Sequence, residues 1–170
     1  RLQSAVSSVP KPLAPINGIP FLSFQMDSWV SQGITDFIFL LHYKSDQIID
    51  FLRQWNKLSS NKSISIQFIK EQMPLGTGGS IANAVHKLNL KSNFYVTNAD
   101  TWIDFGIRSI QESSAPTILI TKVSDAGRYG AVVIDDSNYI IKFDEKMNSN
   151  SAGWINAGIS HLNYEIFLSW

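Results

Sequence analysis

The sequence predicts an α/β domain in three layers, with helices on both faces of a mixed, mostly parallel sheet. Strand-like and helix-like segments alternate as far as Val123, which is the order that crossover helices between parallel strands produce. Two strand candidates, residues 36–43 and 94–100, are largely apolar, as strands covered on both faces usually are. After Val123 short strand candidates follow one another without helices, which predicts an antiparallel hairpin over residues 129–143.

The first elements are indicated by end signals and by apolar periodicity. A proline suits the first turn of a helix over residues 20–32, and a glycine suits its end. The apolar run over residues 36–43 predicts a buried strand. Ser45 can cap the next helix, whose apolar residues recur on one face between positions 48 and 55.

A glycine-rich loop then joins a strand to a helix. Residues 63–70 alternate between apolar and polar, which predicts a half-buried strand, and the next helix extends to Leu88 with Thr77 or Ser80 as its candidate cap. Glycine lets a ligand approach the main chain closely, and free N–H groups at a helix start suit an acceptor-rich or anionic ligand. The loop matches neither the dinucleotide fingerprint nor the P-loop. A tight connection without any ligand is therefore the alternative.

The later strands place a carboxylate at the edge of the sheet. Strands are predicted over residues 94–100, 117–123, 129–134, 139–143 and 155–162. Because ligands of open α/β sheets bind at the carboxyl ends of the strands, Asp100 could hold a hard cation such as Mg²⁺ beside ligand phosphates. A solvated or capping aspartate is the alternative, and Asp104 could be a second ligand or a helix cap. The three histidines lack zinc-type spacing, and no Ser/His/Asp arrangement stands out.

Composition narrows the class of protein. The chain has 170 residues, of which 44% are hydrophobic and 16% charged, so we expect a single folded domain over residues 1–170. Basic and acidic residues balance at 14 each, which favours neither a nucleic acid nor a membrane surface as partner. No residue is a cysteine, so disulfides are excluded, and we expect a cytoplasmic location. Since the chain starts at Arg1 and its last helix candidate has only about two turns, both ends of the domain are expected to be truncated.

Seven short motifs follow the order found in the sugar-1-phosphate nucleotidyltransferases. They are residues 1–2 (Arg-Leu), 10–17 (Pro-Lys-Pro-Leu-Ala-Pro-Ile-Asn), 74–79 (Pro-Leu-Gly-Thr-Gly-Gly), 98–100 (Asn-Ala-Asp), 128–130 (Arg-Tyr-Gly), 143–146 (Phe-Asp-Glu-Lys) and 154–158 (Trp-Ile-Asn-Ala-Gly). The chain resembles this family over nearly its whole length, and it is most similar to the D-glycero-D-manno-heptose 1-phosphate guanylyltransferases. The resemblance implies a Rossmann-like fold of the nucleotide-diphospho-sugar transferase type. Of the glycine-rich phosphate loop that follows the first strand of that fold, the numbered sequence holds only the last two residues, Arg1 and Leu2; a fragment and a loop left out of the numbering are both compatible with this.

The same resemblance assigns roles to individual residues. Arg1 and Lys11 would neutralise the nucleotide phosphates, and Asp100 would hold Mg²⁺, so these three form the predicted catalytic set. The glycine loop would meet the base rather than the phosphates, with the Glu71 carboxylate accepting hydrogen bonds from guanine. The predicted nucleotide-binding residues are Glu71, Leu75, Gly76, Thr77, Gly78 and Asn98. The predicted sugar-phosphate residues are Tyr129, Gly130, Glu145, Lys146, Asn156 and Gly158.

Two positions depart from the family pattern. Ala99 replaces the glycine that is frequent between Asn98 and Asp100, and Met147 replaces the proline that often follows Lys146. Neither change removes a functional side chain.

The implied reaction joins a nucleoside triphosphate, GTP by resemblance, to a sugar 1-phosphate, a heptose by resemblance, with release of pyrophosphate. The product would serve the synthesis of surface polysaccharides. The sequence does not determine the oligomeric state, and a homo-oligomer is possible. One alternative is a glycosyltransferase that consumes a nucleotide-sugar, but the chain lacks the close Asp-x-Asp pair expected there. The other alternative is a non-catalytic regulatory protein that binds a nucleotide-sugar. The presence of three charged residues of the family motifs argues against it, namely Lys11, Asp100 and Lys146.

Overall fold

This computed structural model of the protein describes residues 9–58, 63–103, 107–144 and 151–170. Contacts divide the chain into two compact units, one formed by Arg1–Ser92 with Tyr164–Trp170 and the other by Asn93–Asn163. Among the described residues, no helix combines the length and apolar character that crossing a membrane requires.

The first unit combines three helices with two pairs of strands. Its elements are β1 (Pro15–Ile16), β2 (Ile19–Pro20), α1 (Phe21–Ser31), β3 (Asp36–Leu41), α2 (Ser45–Leu58), β4 (Ser65–Lys70) and α3 (Gly76–Leu88), with 3-10 turns at Lys11–Leu13 and Tyr164–Phe167. β1 and β2 form a small antiparallel hairpin, whereas β3 and β4 pair in parallel and are connected through α2. The carboxyl ends of β3 and β4 therefore lie at the same edge.

Burial in this unit follows the apolar periodicity of the sequence. Alternate residues of β3 are buried, and on α2 the buried residues are Ile48, Ile49 and Leu52, which form one stripe of the helix. Gly33 follows α1 with φ of +88°, a conformation that glycine adopts without steric cost. The predicted elements 20–32, 36–43 and 63–70 are thus confirmed, with boundaries that shift by a few residues.

Two local expectations in this unit are wrong. Neither Thr77 nor Ser80 caps α3, because the helix already begins at Gly76 and the Ser80 hydroxyl donates to the Gly76 carbonyl one turn earlier (2.7 Å). The segment after Asn163 forms a 3-10 turn rather than the predicted α-helix. Its N–H groups bond three residues back, from Leu168 to the Glu165 carbonyl (3.2 Å), which gives the tighter helix.

The second unit is an antiparallel sheet with one short helix. Its elements are β5 (Phe94–Thr97), α4 (Ile107–Gln111), β6 (Thr117–Val123), β7 (Ala131–Ile134), β8 (Ile140–Asp144) and β9 (Gly153–Leu162), with a 3-10 turn at Ala126–Arg128. The strand order is β5-β9-β7-β8, and β6 also pairs with β9. The predicted hairpin is confirmed as β7 and β8, and its turn is held by the Asp135 carboxylate, which accepts from the Ser137 and Tyr139 N–H groups (2.9 and 2.8 Å).

The α/β class is confirmed, but the parallel share of the sheet is smaller than predicted. Among the described strands only β3 and β4 pair in parallel. β5 and β6 both run antiparallel to β9, so they point in the same direction, as strand–helix alternation predicts, but β9 lies between them. Because the long last strand β9 lies between them, β5 and β6 do not form the expected parallel pair, and each instead forms an antiparallel pair with β9.

Candidate functional site

In the first unit, the main chain of Glu71 is fixed to the end of β3. The Glu71 N–H donates to the Leu41 carbonyl (2.8 Å), and Nδ1 of His42 lies 3.1 Å from the Glu71 carbonyl oxygen, where the ring N–H donates. Both bonds use backbone groups of Glu71, so the position of this residue does not depend on its own side chain. No role for His42 was predicted from the sequence, although its position directly after a buried strand was the available signal.

The Glu71 carboxylate lies at the start of α3. Oε2 is 3.5 Å from the Leu75 N–H, which makes a long hydrogen bond. Oε1 is buried, and no hydrogen-bond partner for it exists among the described residues. A carboxylate at a helix start offsets the positive end of the helix dipole, so an incoming ligand meets a hydrogen-bond acceptor here. An unsatisfied buried oxygen is costly, so the Glu71 carboxylate keeps unused capacity to accept a hydrogen bond.

The glycines of the loop differ in what they permit. Gly76 has φ of +70° with open space where a Cβ would lie, so it serves the backbone turn. At Gly78 a Cβ would lie 2.9 Å from Cζ3 of Trp170, so this glycine lets the indole pack directly on α3. Leu75 and Thr77 are exposed. Of the predicted nucleotide residues in this loop, Gly78 thus also has a packing role that the sequence did not reveal.

Lys11, the predicted phosphate ligand, opens the 3-10 turn Lys11–Leu13, which packs against α1. The turn is closed by the Leu13 N–H, which donates to the Pro10 carbonyl (2.8 Å). The lysine side chain is exposed. A short, proline-flanked turn limits the main-chain freedom of Lys11, so its side chain extends from a fixed point of the backbone.

In the second unit, Asp100 lies in a turn at the end of β5. The strand ends at Thr97, earlier than predicted, and the Thr101 N–H donates to the Asn98 carbonyl (3.4 Å). The side chains of Asn98 and Asp100 are exposed. The Thr97 hydroxyl is buried and has no hydrogen-bond partner among the described residues. Asp100 therefore lies three residues beyond the end of the strand rather than at its last position, and its role as a metal ligand stays a prediction.

A bulge in β9 faces this turn. Ile118 pairs with Ser160 and Ile120 with Asn156. Between these two pairs β9 advances by four residues while β6 advances by two, so β9 has two extra residues here. The Asn156 Oδ1 accepts from the Gly158 N–H (2.8 Å) inside the bulge. Gly158 has φ of +93°, and a Cβ there would lie 3.2 Å from Cγ2 of Thr101. The fold therefore brings Asn156 and Gly158 against the turn that carries Asp100, and bulges of this kind often occur next to functional sites.

Tyr129 and Gly130 are positioned by a small buried cluster. The Asp125 carboxylate accepts from the Gly127 N–H (3.1 Å) and caps the 3-10 turn that precedes Tyr129. Ala126 of this turn is fully buried together with Ala131 and Ile155. Gly130 has φ of +77° and leads into β7. Tyr129 is exposed, so its ring is available for a ligand.

Several predicted site residues lie outside the described part of the chain, namely Arg1, Glu145, Lys146 and Asp104. Within the described ranges, no group of three or more His, Cys, Asp or Glu residues could hold a metal ion. The convergence of Lys11, Asp100 and Lys146 on two phosphates stays a prediction.

His161 has a structural contact in the second unit. Its Nδ1 lies 3.1 Å from the Ser113 carbonyl oxygen, so, like His42, it hydrogen-bonds the backbone.

A glycine substitution tests the contact between the bulge and the Asp100 turn. We expect Gly158→Ala to lower the free energy of unfolding by about 1–3 kcal/mol, because alanine must adopt a positive φ and its Cβ would press on Thr101. Gly18→Ala is the matched control, since Gly18 also has a positive φ, +83°, but open space around it. Chemical denaturation would measure both variants. Equal losses at the two positions would show that the Thr101 contact contributes nothing.

Comparison with known proteins assigns the chain to a family. The family model for nucleotidyl transferases matches residues 1–170. The chain is 34% identical over 168 residues to the D-glycero-alpha-D-manno-heptose 1-phosphate guanylyltransferase of Campylobacter jejuni, which covers 98% of this chain and 72% of the relative. It is 31% identical over 175 residues to mannose-1-phosphate guanyltransferase 2 of Candida glabrata, again over 98% of this chain, but spans about half (47%) of that relative.

A solved structure shows the same fold. The crystal structure of HddC from Yersinia pseudotuberculosis superposes with a TM-score of 0.85 at 35% identity, covering 100% of this chain and 74% of that chain. HddC has also been crystallised in complex with GMP-PN. The resemblance drawn from the seven sequence motifs is confirmed. The chain therefore belongs to the nucleotidyl transferase family.

Proposed function

We propose that this protein transfers a guanylyl group from GTP to a heptose 1-phosphate, giving a GDP-sugar and pyrophosphate for polysaccharide synthesis. The similarity over nearly the whole chain to a heptose 1-phosphate guanylyltransferase supports the reaction class and both substrates. The observation that carries the base assignment is the Glu71 carboxylate at the start of α3, whose Oε2 accepts only one long hydrogen bond and whose Oε1 has no partner among the described residues. We place the reaction in the cytoplasm, because the reaction depends on a nucleoside triphosphate.

Guanine is the base whose edge suits this carboxylate. Its N1–H and N2–H₂ groups are adjacent donors, and an ionised carboxylate offers two adjacent acceptors. The loop from Leu75 to Thr77 is exposed beside Glu71, so a planar base can approach the start of α3 from the solvent. A phosphate at this position would be repelled by the Glu71 carboxylate. The base, rather than the phosphates, therefore belongs at the start of α3.

The phosphates require cations and a metal ion. Lys11, together with Arg1, supplies positive charge for the triphosphate, and Lys146 supplies it for the sugar phosphate. The exposed Asp100 fits a Mg²⁺ ion, because this metal is usually held by one or two carboxylates with the remaining positions left to water and substrate phosphates. When bound, the ion supplies charge neutralisation at the reacting phosphates.

The sugar belongs at the bulge of β9. Asn156 offers a side-chain amide there and Tyr129 an exposed ring, and a polar amide with an aromatic surface suits a sugar that presents hydroxyl groups and C–H bonds. The contact between Gly158 and Thr101 fixes this region against the Asp100 turn. A sugar 1-phosphate held at Asn156 would thus present its phosphate near Asp100.

The chemistry then needs positioning more than acid–base help. A phosphate oxygen of the sugar 1-phosphate forms a bond to the α-phosphorus of GTP, the bond from that phosphorus to the β-bridging oxygen breaks, and pyrophosphate leaves. The attacking oxygen is ionised at neutral pH, so no general base has to remove a proton. The described residues accordingly need only align two polyanions and offset their repulsion.

The test is pyrophosphate release from the full-length protein with Mg²⁺. GTP, ATP, UTP and CTP would each be combined with heptose 1-phosphate, mannose 1-phosphate and glucose 1-phosphate. We expect the highest kcat/KM with GTP and heptose 1-phosphate. A preference for another base or sugar would overturn that assignment, and an absence of release with every pair would overturn the enzymatic function itself.

A further inference from the structure

We propose that Trp154 extends the sugar-phosphate site and stacks against the carbon chain of the bound sugar, with Lys122 beside it as a donor to the sugar hydroxyls. This inference rests on the proposed function, because it concerns the sugar that Asn156 would hold. The residues identified by resemblance include Asn156 but leave Trp154 without a role.

Strand register puts Trp154 and Asn156 on one face of the sheet. From Gly153 to Asn156 the pairing of β9 with β6 is regular, with Lys122 opposite Trp154 and Ile120 opposite Asn156. Side chains of alternate residues in a strand point to the same face. Ile155 between them is buried, in the cluster with Ala126. Trp154 and Asn156 therefore lie on the opposite face, away from that cluster.

The same register aligns a row of side chains across four strands. Trp154 pairs with Lys122 on β6 and with Val132 on β7, and Val132 pairs with Phe143 on β8. Directly opposite residues of antiparallel strands share a face. Val132 is only 3% exposed, whereas Trp154 is 38% and Phe143 60% exposed. Val132 is thus buried in the row, while the two aromatic rings on either side of it keep exposed surface that a ligand can contact.

Distance and chemistry favour the sugar as the occupant of this face. Two residues along a strand are about 7 Å apart, so a sugar bound to the Asn156 amide can reach the indole. An aromatic surface suits the C–H groups of a sugar, while a few polar groups fix its orientation. Lys122 is exposed and supplies N–H donors for hydroxyl oxygens. A seven-carbon sugar reaches further from Asn156 than a six-carbon sugar, so Trp154 contributes to the selection of sugar length.

Steady-state kinetics with Trp154→Ala, Trp154→Phe and Tyr139→Ala test the proposal. Tyr139 is the matched control, because it is an exposed aromatic residue of the same unit (73%) that precedes β8 and lies outside the row. We expect Trp154→Ala to raise the KM for heptose 1-phosphate about tenfold, the size of a lost aromatic contact. The KM for GTP should stay within about twofold. The KM for mannose 1-phosphate should rise less than that for heptose 1-phosphate, and Tyr139→Ala should change none of these values.

Fluorescence provides a measurement that does not depend on turnover. With a non-hydrolysable GTP analogue present, heptose 1-phosphate should quench the tryptophan emission of the wild-type protein, and Trp154→Phe should lose this quenching while remaining folded. An unchanged KM for heptose 1-phosphate in Trp154→Ala, or unchanged quenching in Trp154→Phe, would overturn the role of Trp154. Failure of the proposed function is distinguishable from this, because the wild-type protein itself would then release no pyrophosphate.

Discussion

Replacement of Asp100 by asparagine is expected to reduce kcat by at least about 10²- to 10³-fold, the loss that follows removal of one preorganised electrostatic group. Asparagine keeps the size of the side chain but removes the charge that a divalent cation requires. Since Asp100 is exposed in a turn after β5, the free energy of unfolding should change by less than about 1 kcal/mol. Pyrophosphate release and thermal denaturation would be measured on the same preparation.

The control for this experiment is Asp136→Asn. Asp136 is also exposed and lies in the turn between β7 and β8, so its replacement removes one negative charge from the same unit. We expect this variant to keep wild-type kcat. Wild-type activity in Asp100→Asn would remove Asp100 from the mechanism, and equal losses in the two variants would point to the net charge of the unit instead.

Replacement of Glu71 by glutamine is expected to lower kcat/KM for GTP by about 10- to 100-fold, which corresponds to the loss of hydrogen bonds to a charged acceptor. Glutamine offers one carbonyl oxygen in place of two carboxylate oxygens, so it cannot accept from both N1–H and N2–H₂ of guanine. The bonds to Leu41 and His42 use the main chain of residue 71, so the loop should keep its position.

Inosine triphosphate gives this prediction a specific signature, because inosine lacks the N2 amino group. The wild-type protein should prefer GTP to inosine triphosphate, and Glu71→Gln should bring the two kcat/KM values close together. The adjacent and exposed Gln72 supplies the control, since Gln72→Ala should keep the wild-type ratio. A Glu71→Gln variant with an unchanged ratio would show that the carboxylate does not contact the base.

Much of the candidate site could be predicted from the sequence, but the contacts that position its residues could not. The motif around Asp100 and the motif from Trp154 to Gly158 were recognisable as separate short runs of residues. Their contact through Gly158 and Thr101 depends on a bulge whose register involves β6. An Asn-x-Gly run within a strand was the available signal for that bulge. The bond from His42 to the Glu71 carbonyl likewise joins two strands that only pairing brings together.

By itself the sequence determined the kinds of elements, their order and the family, because apolar periodicity, chain breakers and short motifs are properties of neighbouring residues. Tertiary structure decided which strands pair, which glycine serves a turn and which a close contact, and which face of β9 packs on the buried cluster around Ala126. β9 separates β5 from β6, and Trp170 packs on Gly78. Such pairings join residues far apart in the chain, and their free energy depends on surfaces that exist only once the chain has folded.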